Sequence, residues 1–520
     1  MNKTTGSAEA LYTKLSGQRF PYIKRGRDAS ALTIPSILPA EGHNGASALP
    51  TPYQSVGARG VNNLAAALLL SLLPPNSPFF RLVVEESAMA EVTAQAGGES
   101  IKTEIEASLS KIERSVMSEI ETTAVRVQLY EALRHLIVTG NVLLHMVDEG
   151  GMRVIHLNRY VVKRDPMGEA RQIIIKECIS PDMLPDAAKA LVASNINSPK
   201  EDGVDMYTCI KRSGDKIEVY QEISGKVVPG SSGKYDIDKS PYLALRMNRT
   251  DGEDYGRGYV EQYIGDLKSL ESLMMSIVEA SAAAAKVLFL VAPNGVTRSR
   301  VLAEAPNGGI VEGSAQDVSV LQLNKANDFN IAFQTASTVS DRLSYAFLLT
   351  DNAIRNADRV TAAEVRLVTQ SIERQLGGIY SVLSQELQLP LVKRIMDHMR
   401  REKRLPEIPS DLVRPTIITG VDALGRGNDL NKMDEFLVGV AQLLGPEILG
   451  QYVDMREYMD RRALALGIET EGLIRTEEEI QAEQQQQMLL QAAQQFGPQV
   501  MDSMTKQTVE GMKQEAQQEA

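Results

Sequence analysis

The sequence of 520 residues contains no tryptophan, and aromatic residues make up only 5% of it. Proteins that hold single-stranded nucleic acid stack its bases on aromatic side chains, so this composition does not favour such a protein. Its two cysteines, Cys178 and Cys209, lie in separate strand-like segments without the spacing of metal ligands. They predict reduced thiols and no disulfide, as is typical of a cytoplasmic protein.

Long apolar segments are also missing. The longest mainly apolar run, residues 64–73, is far shorter than the about 20 residues that cross a bilayer. It predicts a buried helix that begins after Gly60 and ends before Pro74. The first residues, MNKTTGSAEALYTKLSG, lack the apolar core of a secretory signal. We therefore expect neither a membrane partner nor secretion.

Positive charge is in deficit, with a formal net charge of −12. A surface that wraps nucleic acid needs clustered Lys and Arg, so this balance argues against such a surface. It suits a channel through which a polyanion slides without being held. It also suits the ordinary mild acidity of soluble proteins, and the charge alone leaves both interpretations open. With 43% apolar residues, the chain can fill two to four globular domains.

Enzyme motifs are absent at the required spacing. The segment GSSGK, residues 230–234, is two residues too short between its glycines for a phosphate-binding loop, and Tyr235 replaces the hydroxyl residue that would hold magnesium. Neither YGRGYVE nor LGRGNDL has dinucleotide-site spacing. The five histidines form no metal-binding pair: His43, His135, His145, His156 and His398. We expect no enzyme activity, no cofactor and no metal.

Hydrophobic periodicity predicts a mixed α+β fold dominated by helices. Helices are expected over residues 8–15, 55–73, 100–121 and 127–138, the last ending at Gly140. From residue 152 to residue 247 the period falls towards two, between turns rich in Gly, Pro, Asp and Ser. This predicts a small antiparallel β region.

A helical hairpin is predicted next. Its first apolar stripe consists of Val260, Tyr263, Leu267, Leu270, Met274 and Ile277. A second stripe follows an irregular insert and consists of Phe333, Ala336, Val339, Leu343 and Ala346. The insert contains VLFLVA, NGGIVEG and VSVLQL, which favour short strands. A generic helical hairpin with a β tip accounts for this pattern by itself.

A long third helix follows a polar segment, TDNAIRNADRV, at residues 350–360. Its stripe consists of Val365, Val368, Ile372, Leu376, Ile379, Leu383 and Leu387. Gly377, Gly378 and Pro390 predict bends. Its basic end, RREKRL at residues 400–405, suits the negative end of the helix dipole, and a nucleic-acid contact is the alternative. Residues 481–499 contain nine glutamines, which indicates either disorder or a helix ordered by neighbouring subunits.

Five sequence segments resemble those of a known family. They are TPYQSVGARGVNNLAAALLLSLLP (51–74), TGNVLLH (139–145), RTDGEDYGRGYVEQYIGDLKSLE (249–271), RVTAAEVR (359–366) and LGGIYSVLSQELQLPLV (376–392). In these segments, and in the order of its predicted elements, the chain resembles the portal proteins, or head-to-tail connectors, of short-tailed phages. The resemblance implies a ring, dodecameric in the family, at one capsid vertex, through which double-stranded DNA is packaged and ejected. It is weakest after about residue 470.

The resemblance also implies a division into parts. Residues 1–257 match the wing, including the β region at 152–247, and residues 406–480 match the crown. Residues 258–286 and 326–349 match the two stem helices, and residues 287–325 between them match the clip. Residues 350–361 match the tunnel loop, 362–405 a long bent wing helix, and 481–520 a Gln-rich tail.

The tunnel loop is the best candidate for DNA contact. Its charged residues are Asp351, Arg355, Asp358 and Arg359. Two arginines can meet phosphates while the two acids limit how long DNA is held. The alternative is an ordinary connection, in which Thr361 and Glu364 form a capping box for the next helix.

Partners follow from the resemblance. They are further copies of the chain, the terminase large subunit, tail adaptor proteins, major capsid and scaffolding proteins, internal core proteins and the DNA that passes through. We expect the protein in the virion at the portal vertex, assembled in the host cytoplasm. Two other functions stay open: a structural ring or scaffold without DNA passage, and a nuclease or NTPase with an unrecognised motif.

Overall fold

The computed structural model describes most of the chain up to residue 349 and shorter segments beyond it. The described residues are 7–40, 43, 46–74, 79–84, 99–147, 151–193, 203–284, 288–321, 326–349, 376, 378–379, 381–406, 413–417, 434, 436–442, 453, 458–459 and 462. The chain divides into two units, Met1–Ala423 and Leu424–Ala520. The labelled helices and strands below all belong to the first unit, which mixes helix and sheet as predicted.

The first helix, α1, spans Ala8–Ala31 and is far longer than the expected residues 8–15. It runs through Gly17 and Pro21 because its inner stripe, including Tyr12, Leu15 and Ile23, is buried. Packing of such a stripe outweighs the local cost of one proline inside a helix. The hydroxyl of Ser7 caps the start of α1 by accepting a hydrogen bond from the amide of Ala10.

Three further helices confirm the predicted periodicity. They are α2 (Val56–Leu72), α3 (Glu99–Thr122) and α4 (Val125–Thr139). α4 ends at Gly140, which has the left-handed φ of 76°. A Cβ atom there would lie 2.3 Å from the carbonyl carbon of Arg257. Both the backbone conformation and the close contact therefore require glycine.

The β region is antiparallel, as predicted, and forms two sheets. One has three strands in the order β10–β2–β3, from β2 (Asn141–Met146), β3 (Met152–Ile155) and β10 (Tyr242–Arg246). The other has the order β4–β5–β6–β7–β8 with β9 also paired to β7. Its strands are β4 (Tyr160–Arg164), β5 (Ala170–Ile179), β6 (Val204–Ser213), β7 (Lys216–Ile223), β8 (Lys226–Val227) and β9 (Gly233–Asp236). A short helix, α5 (Asp186–Ala193), lies between β5 and β6.

The predicted helical hairpin is present. Its first arm is α6 (Tyr259–Gln262) followed by α7 (Ile264–Ala284), and its second arm is α9 (Ala326–Ala346). Strands β11 (Leu288–Val291) and β12 (Val318–Leu321) pair at the tip, with a short helix, α8 (Ser299–Glu304), between them. The prediction of a strand in NGGIVEG is wrong. Residues 307–308 form a turn, in which Gly308 has a φ of 81°.

The third long helix is irregular at the place that Pro390 indicates. A π-helical turn spans Ser384–Gln388 and leads into α10 (Leu389–Arg401). Leu376, Leu383 and Leu387 of the predicted stripe are buried, whereas residues 362–375 and 377 lie outside the described residues. Beyond it, β13 (Val413–Ile417) pairs with β1 (Phe80–Val84) across more than 300 residues of sequence.

One large apolar core joins the hairpin base, α1, α2, α4 and the π-helical turn. Cys178 and Cys209 lie on β5 and β6 and form no disulfide, as predicted. None of the described helices combines the length and apolar content that crossing a bilayer requires. In the second unit, residues 436–442 are helical, and residues 481–520 lie outside the described part of the chain.

Candidate functional site

The predicted DNA-contacting residues follow the hairpin directly. Asp351, Arg355, Asp358 and Arg359 lie outside the described residues, as do Thr361 and Glu364. The described residues end at Leu349, at the end of the second arm, and begin again at Leu376 in the third helix. The described part of the candidate site is therefore the hairpin and the elements that hold it.

The base of the hairpin, residues 259–270 with 336–347, is packed into the core. Its buried apolar side chains are Tyr259, Val260, Leu267, Leu270, Ala336, Val339, Leu343, Ala346 and Phe347. An ion pair between Arg342 and Asp266, 3.0 Å apart, joins the two arms. The predicted apolar stripes are confirmed here.

The outer half, residues 271–284 with 326–335, is different. None of its described side chains is buried. Phe333, a member of the predicted apolar stripe, is 64% exposed, and Ile331, Met275 and Val278 are exposed as well. These four side chains are all exposed on the outer half, and we call them together the outer face. A large exposed apolar patch is typical of an interaction site.

The tip also exposes apolar side chains. Phe289 and Leu290 of β11 are exposed, and so are Val296, Val301 and Ile310 in the connection between the strands. A two-stranded ribbon is marginal by itself, so its loop needs further support.

Asp317 provides that support. Its carboxylate accepts hydrogen bonds from the amides of Val296, at 2.8 Å, and Thr297, at 3.0 Å. The hydrogen bond from the Thr297 amide is the main cause that lowers the pKa of Asp317. A Cβ atom on Gly295 would lie 2.5 Å from the same carboxyl group. Glycine at 295 therefore lets Asp317 fix the turn of the tip.

Side chains also attach both arms to α2. Glu271 of α7 accepts hydrogen bonds from the amides of Tyr53 and Gln54, at 2.9 and 3.2 Å, just before α2 begins. At the end of α9, the side-chain amide of Asn63 donates to the carbonyls of Phe347, at 3.1 Å, and Leu348, at 2.8 Å. The segment just before α2 thus contacts the first arm, and α2 itself contacts the last residues before the predicted tunnel loop.

The phrase RTDGEDYGRG, residues 249–258, connects the sheets to the hairpin. Asn141 of β2 donates to the carbonyl of Gly256, at 2.7 Å, and accepts from its amide, at 2.8 Å. Asp254 forms an ion pair with Lys163, at 2.8 Å. Tyr255 is buried, and its hydroxyl accepts a hydrogen bond from the amide of Val162. This segment is structural, because its side chains hold β2, β4 and the first arm together.

An arginine cluster next to this segment was not predicted. Arg164, Arg246 and Arg249 all donate to carbonyls in the turn between β4 and β5. Arg249 pairs with Glu386 of the π-helical turn at 3.1 Å. Burial, and then the charge of Arg164, lowers the pKa of Arg246 to about 10. No sequence signal marks the cluster, since its members come from separate elements.

Two histidines meet inside the first unit. The rings of His135 and His156 stack with centroids 6.4 Å apart, and neither buried Nδ1 atom has a hydrogen-bond partner among the described residues. Burial is the main cause that lowers the pKa of each to about 4. Both imidazoles are neutral at pH 7. Nowhere in the described ranges do three His, Cys, Asp or Glu side chains gather as metal ligands.

The two basic segments have structural partners. Lys234 of GSSGK lies on β9 and pairs with Glu218 at 2.9 Å, whereas the lysine of a phosphate-binding loop stands at the start of an α-helix. In RREKRL, Arg404 pairs with Glu119 and Glu402. Arg401 lies 3.7 Å from Asp397. These contacts support the interpretation of RREKRL as a charged helix end.

The family described as "Bacteriophage head to tail connecting protein" matches residues 5–474. The chain belongs to this family. It is 39% identical to the portal protein of Escherichia phage T7 over 98% of this chain and 95% of that protein. The portal protein of Enterobacteria phage T3 is also 39% identical, over 95% of this chain and 93% of that protein.

One more distant relative agrees. The portal protein of Enterobacteria phage SP6 is 28% identical over 92% of this chain and 91% of that protein. A solved neck of an empty gene transfer agent particle gives 12% identity and a TM-score of 0.37 over 80% of this chain and 90% of that chain, a likeness too low to add to the argument. The predicted family is confirmed, and membership of it places the protein in the virion, at the connection of head and tail.

Proposed function

We propose that the protein forms a ring at one capsid vertex, dodecameric as in its family, and that double-stranded DNA passes through its centre. The outer face of the hairpin is the observation that carries this proposal. Ile331, Phe333, Met275 and Val278 are exposed at the end of two arms whose bases are buried. A closed ring covers the same patch on every copy, because each subunit meets two neighbours.

The parts of the ring follow the family. Residues 1–257 form the wing, 258–286 and 326–349 the stem, and 287–325 the clip, which contacts the terminase and later the tail. Residues 362–405 form a bent wing helix, and 406–480 form the crown with the tail at 481–520. The stem assignment is supported by the hairpin, whose arms α7 and α9 lie side by side.

The protein works without chemistry of its own. The ATP-driven terminase large subunit supplies the packaging energy, and the ring guides the DNA. The contacts of Lys234 on β9 support this division, since that lysine is paired with Glu218. Purified protein should show no steady ATP turnover. Turnover that disappears with Lys234→Ala would contradict this part of the proposal.

Residues 350–361 form the tunnel loop, in which Arg355 and Arg359 meet phosphates and Asp351 and Asp358 limit the time of contact. Changing both arginines to Ala should leave ring assembly unchanged and reduce the packaging or retention of DNA. Normal genome content would show that the loop is only a connector. Loss of assembly would make the arginines structural partners.

Assembly takes place in the host cytoplasm with major capsid and scaffolding proteins, and internal core proteins contact the ring inside the head. Negative-stain images of the purified protein test the central part of this proposal. Rings with an open central channel are expected. Closed discs or open filaments would instead support a scaffold through which no DNA passes.

A further inference from the structure

The second arm of the hairpin ends in a defined turn. The amide of Leu349 donates to the carbonyl of Ser344, at 2.8 Å, and the amide of Leu348 to that of Tyr345, at 3.2 Å. Leu348 has the left-handed φ of 57°. This is a Schellman motif, in which glycine is the usual residue at the left-handed position. Leucine is strained there, so surrounding contacts must hold the turn in place.

Three residues outside α9 hold this turn, and we call Gly60, Asn63 and Tyr259 the α9 clamp. Asn63 donates to the carbonyls of Phe347 and Leu348, and the Tyr259 hydroxyl donates to the carbonyl of Ala346 at 2.8 Å. The last carbonyls of a helix have no partner within the helix. The clamp therefore satisfies three consecutive carbonyls at the end of α9.

Gly60 brings α2 close enough for this bonding. A Cβ atom on Gly60 would lie 2.5 Å from Cγ of Phe347, a distance that real side chains do not reach. Phe347 is fully buried and packs edge-on against Tyr259, with ring centroids 5.9 Å apart. The phenyl ring thus occupies the space that a larger residue at 60 would need. As a result, Asn63, nearly one turn further along α2, reaches the end of α9.

We infer that Asn63 is a positioning residue for DNA passage, because with Gly60 and Tyr259 it fixes the point and direction at which the chain leaves α9. The inference rests on the proposed role of residues 350–361, which begin one residue after Leu349. A loop that contacts DNA from every subunit of a ring has to start from the same place in each copy. The α9 clamp provides this by joining the loop's starting point to the buried body of α2.

Hydrogen exchange tests the clamp itself. In the assembled full-length protein, Asn63→Asp keeps the shape of the side chain but turns a carboxylate towards two carbonyl oxygens. The amides of Leu348 and Leu349 should then exchange at least about fivefold faster, the effect of losing one such hydrogen bond. Asn63→Ala, which removes the donor without adding charge, should give a smaller increase. Unchanged exchange at both amides in both variants would overturn the inference.

The matched control is Asn62→Asp. Asn62 is the same residue type on the same helix and is exposed, and its side chain lies near the Tyr130 hydroxyl rather than α9. This variant introduces the same charge one residue away. It should leave exchange at Leu348 and Leu349 unchanged.

DNA retention tests the functional consequence in phage particles. Asn63→Asp should leave the mass of the ring unchanged and lower the fraction of genome-filled particles several-fold, whereas Asn62→Asp should not. Faster exchange with normal retention would overturn the positioning role. The variant in which Arg355 and Arg359 are both Ala separates the two roles. If it retains DNA normally while Asn63→Asp does not, the arginines are not needed for retention but the clamp is.

Discussion

The two halves of one helical hairpin differ sharply in what surrounds them. At the base, Leu343 is fully buried and Arg342 pairs with Asp266 across the arms. In the outer half of the same two helices, Phe333 is 64% exposed and no described side chain is buried. Both halves carry apolar residues at helical spacing, so the sequence pattern is continuous while the burial is not.

This difference shows where one subunit's own core ends. The base is held by α2, α4 and the segment before α6, all of which belong to the same chain. The outer half has fewer such neighbours among the described residues, and the contacts of Glu271, Leu273, Met274 and Ile277 leave Met275, Val278, Ile331 and Phe333 exposed. Apolar residues at helical spacing that stay exposed in one chain indicate a surface for another chain. In the proposed ring, the base would serve folding and the outer half would serve assembly.

The largest expected effect comes from placing a charge on the outer face. Phe333→Asp should abolish ring formation while the subunit stays folded, because a carboxylate buried between subunits without a partner costs several kcal/mol in each copy. Light scattering and circular dichroism measure assembly and folding separately. Gln334→Asp is the control, since residue 334 is exposed beside it. Rings of normal mass with Phe333→Asp would contradict the role of the outer face.

A core substitution at the base should show the opposite behaviour. Leu343→Ala should lower the free energy of unfolding by about 2–5 kcal/mol, the range for a buried leucine. Phe333→Ala should change the unfolding free energy of the dissociated subunit by less than about 0.5 kcal/mol, as is usual on a surface. Denaturant titration under dissociating conditions measures both. Equal changes in the free energy of unfolding at the two positions would contradict the difference in burial between the base and the outer half.

Acid should weaken the folded body through His135 and His156. Their pKa values of about 4 in the folded protein lie below the ordinary value, so the unfolded chain binds more protons as the pH falls. Stability should be full above about pH 6.5 and decline towards pH 4, by up to about 3 kcal/mol for each histidine. The charged groups that face them are Glu131, Arg134, Arg159 and Arg19.

The substitution His135→Phe keeps a ring in that space and removes one titrating group. The decline in stability between pH 6.5 and pH 4 should become shallower by about half. Urea titrations at several pH values measure this slope. An unchanged slope would show that the buried pair does not control acid stability.

The smallest expected effect lies at the tip. Asp317→Asn should weaken the hydrogen bonds to the amides of Val296 and Thr297, because charge-assisted hydrogen bonds are stronger than neutral ones. Hydrogen exchange at these two amides should become faster, while the base and the ring mass stay unchanged. Glu304→Gln, which alters an exposed carboxylate of α8, should leave both amides unaffected. Faster exchange throughout the hairpin would mean that the tip and the base are not independent.

Local signals predicted a large part of this fold. The helices α2, α3 and α4 and the stop at Gly140 follow from periodicity and from glycine's freedom to adopt positive φ. The strands at both ends of the insert follow from their β-branched and apolar residues. β2 was missed because five of its six side chains are buried, so it lacks the alternation of a half-exposed strand.

Long-range contacts could not be predicted. β1 pairs with a strand more than 300 residues away, and the arginine cluster meets Glu386 only in the folded chain. The α9 clamp was missed for the same reason, since Asn63 and Leu348 have no common sequence signal. The roles of Arg355 and Arg359 stay predictions. The exposure of Phe333 could not be read from its position on the stripe, because periodicity does not tell whether the same chain or a neighbour covers a face.

The mass of the purified protein in solution tests the central claim most directly, namely that other copies of the chain cover the outer face. Light scattering at micromolar concentration, repeated at several salt concentrations, should give a mass many times that of the 56.9 kDa chain. The mass should not fall with salt, since the contact is apolar. A single species of 56.9 kDa under all these conditions would contradict the account.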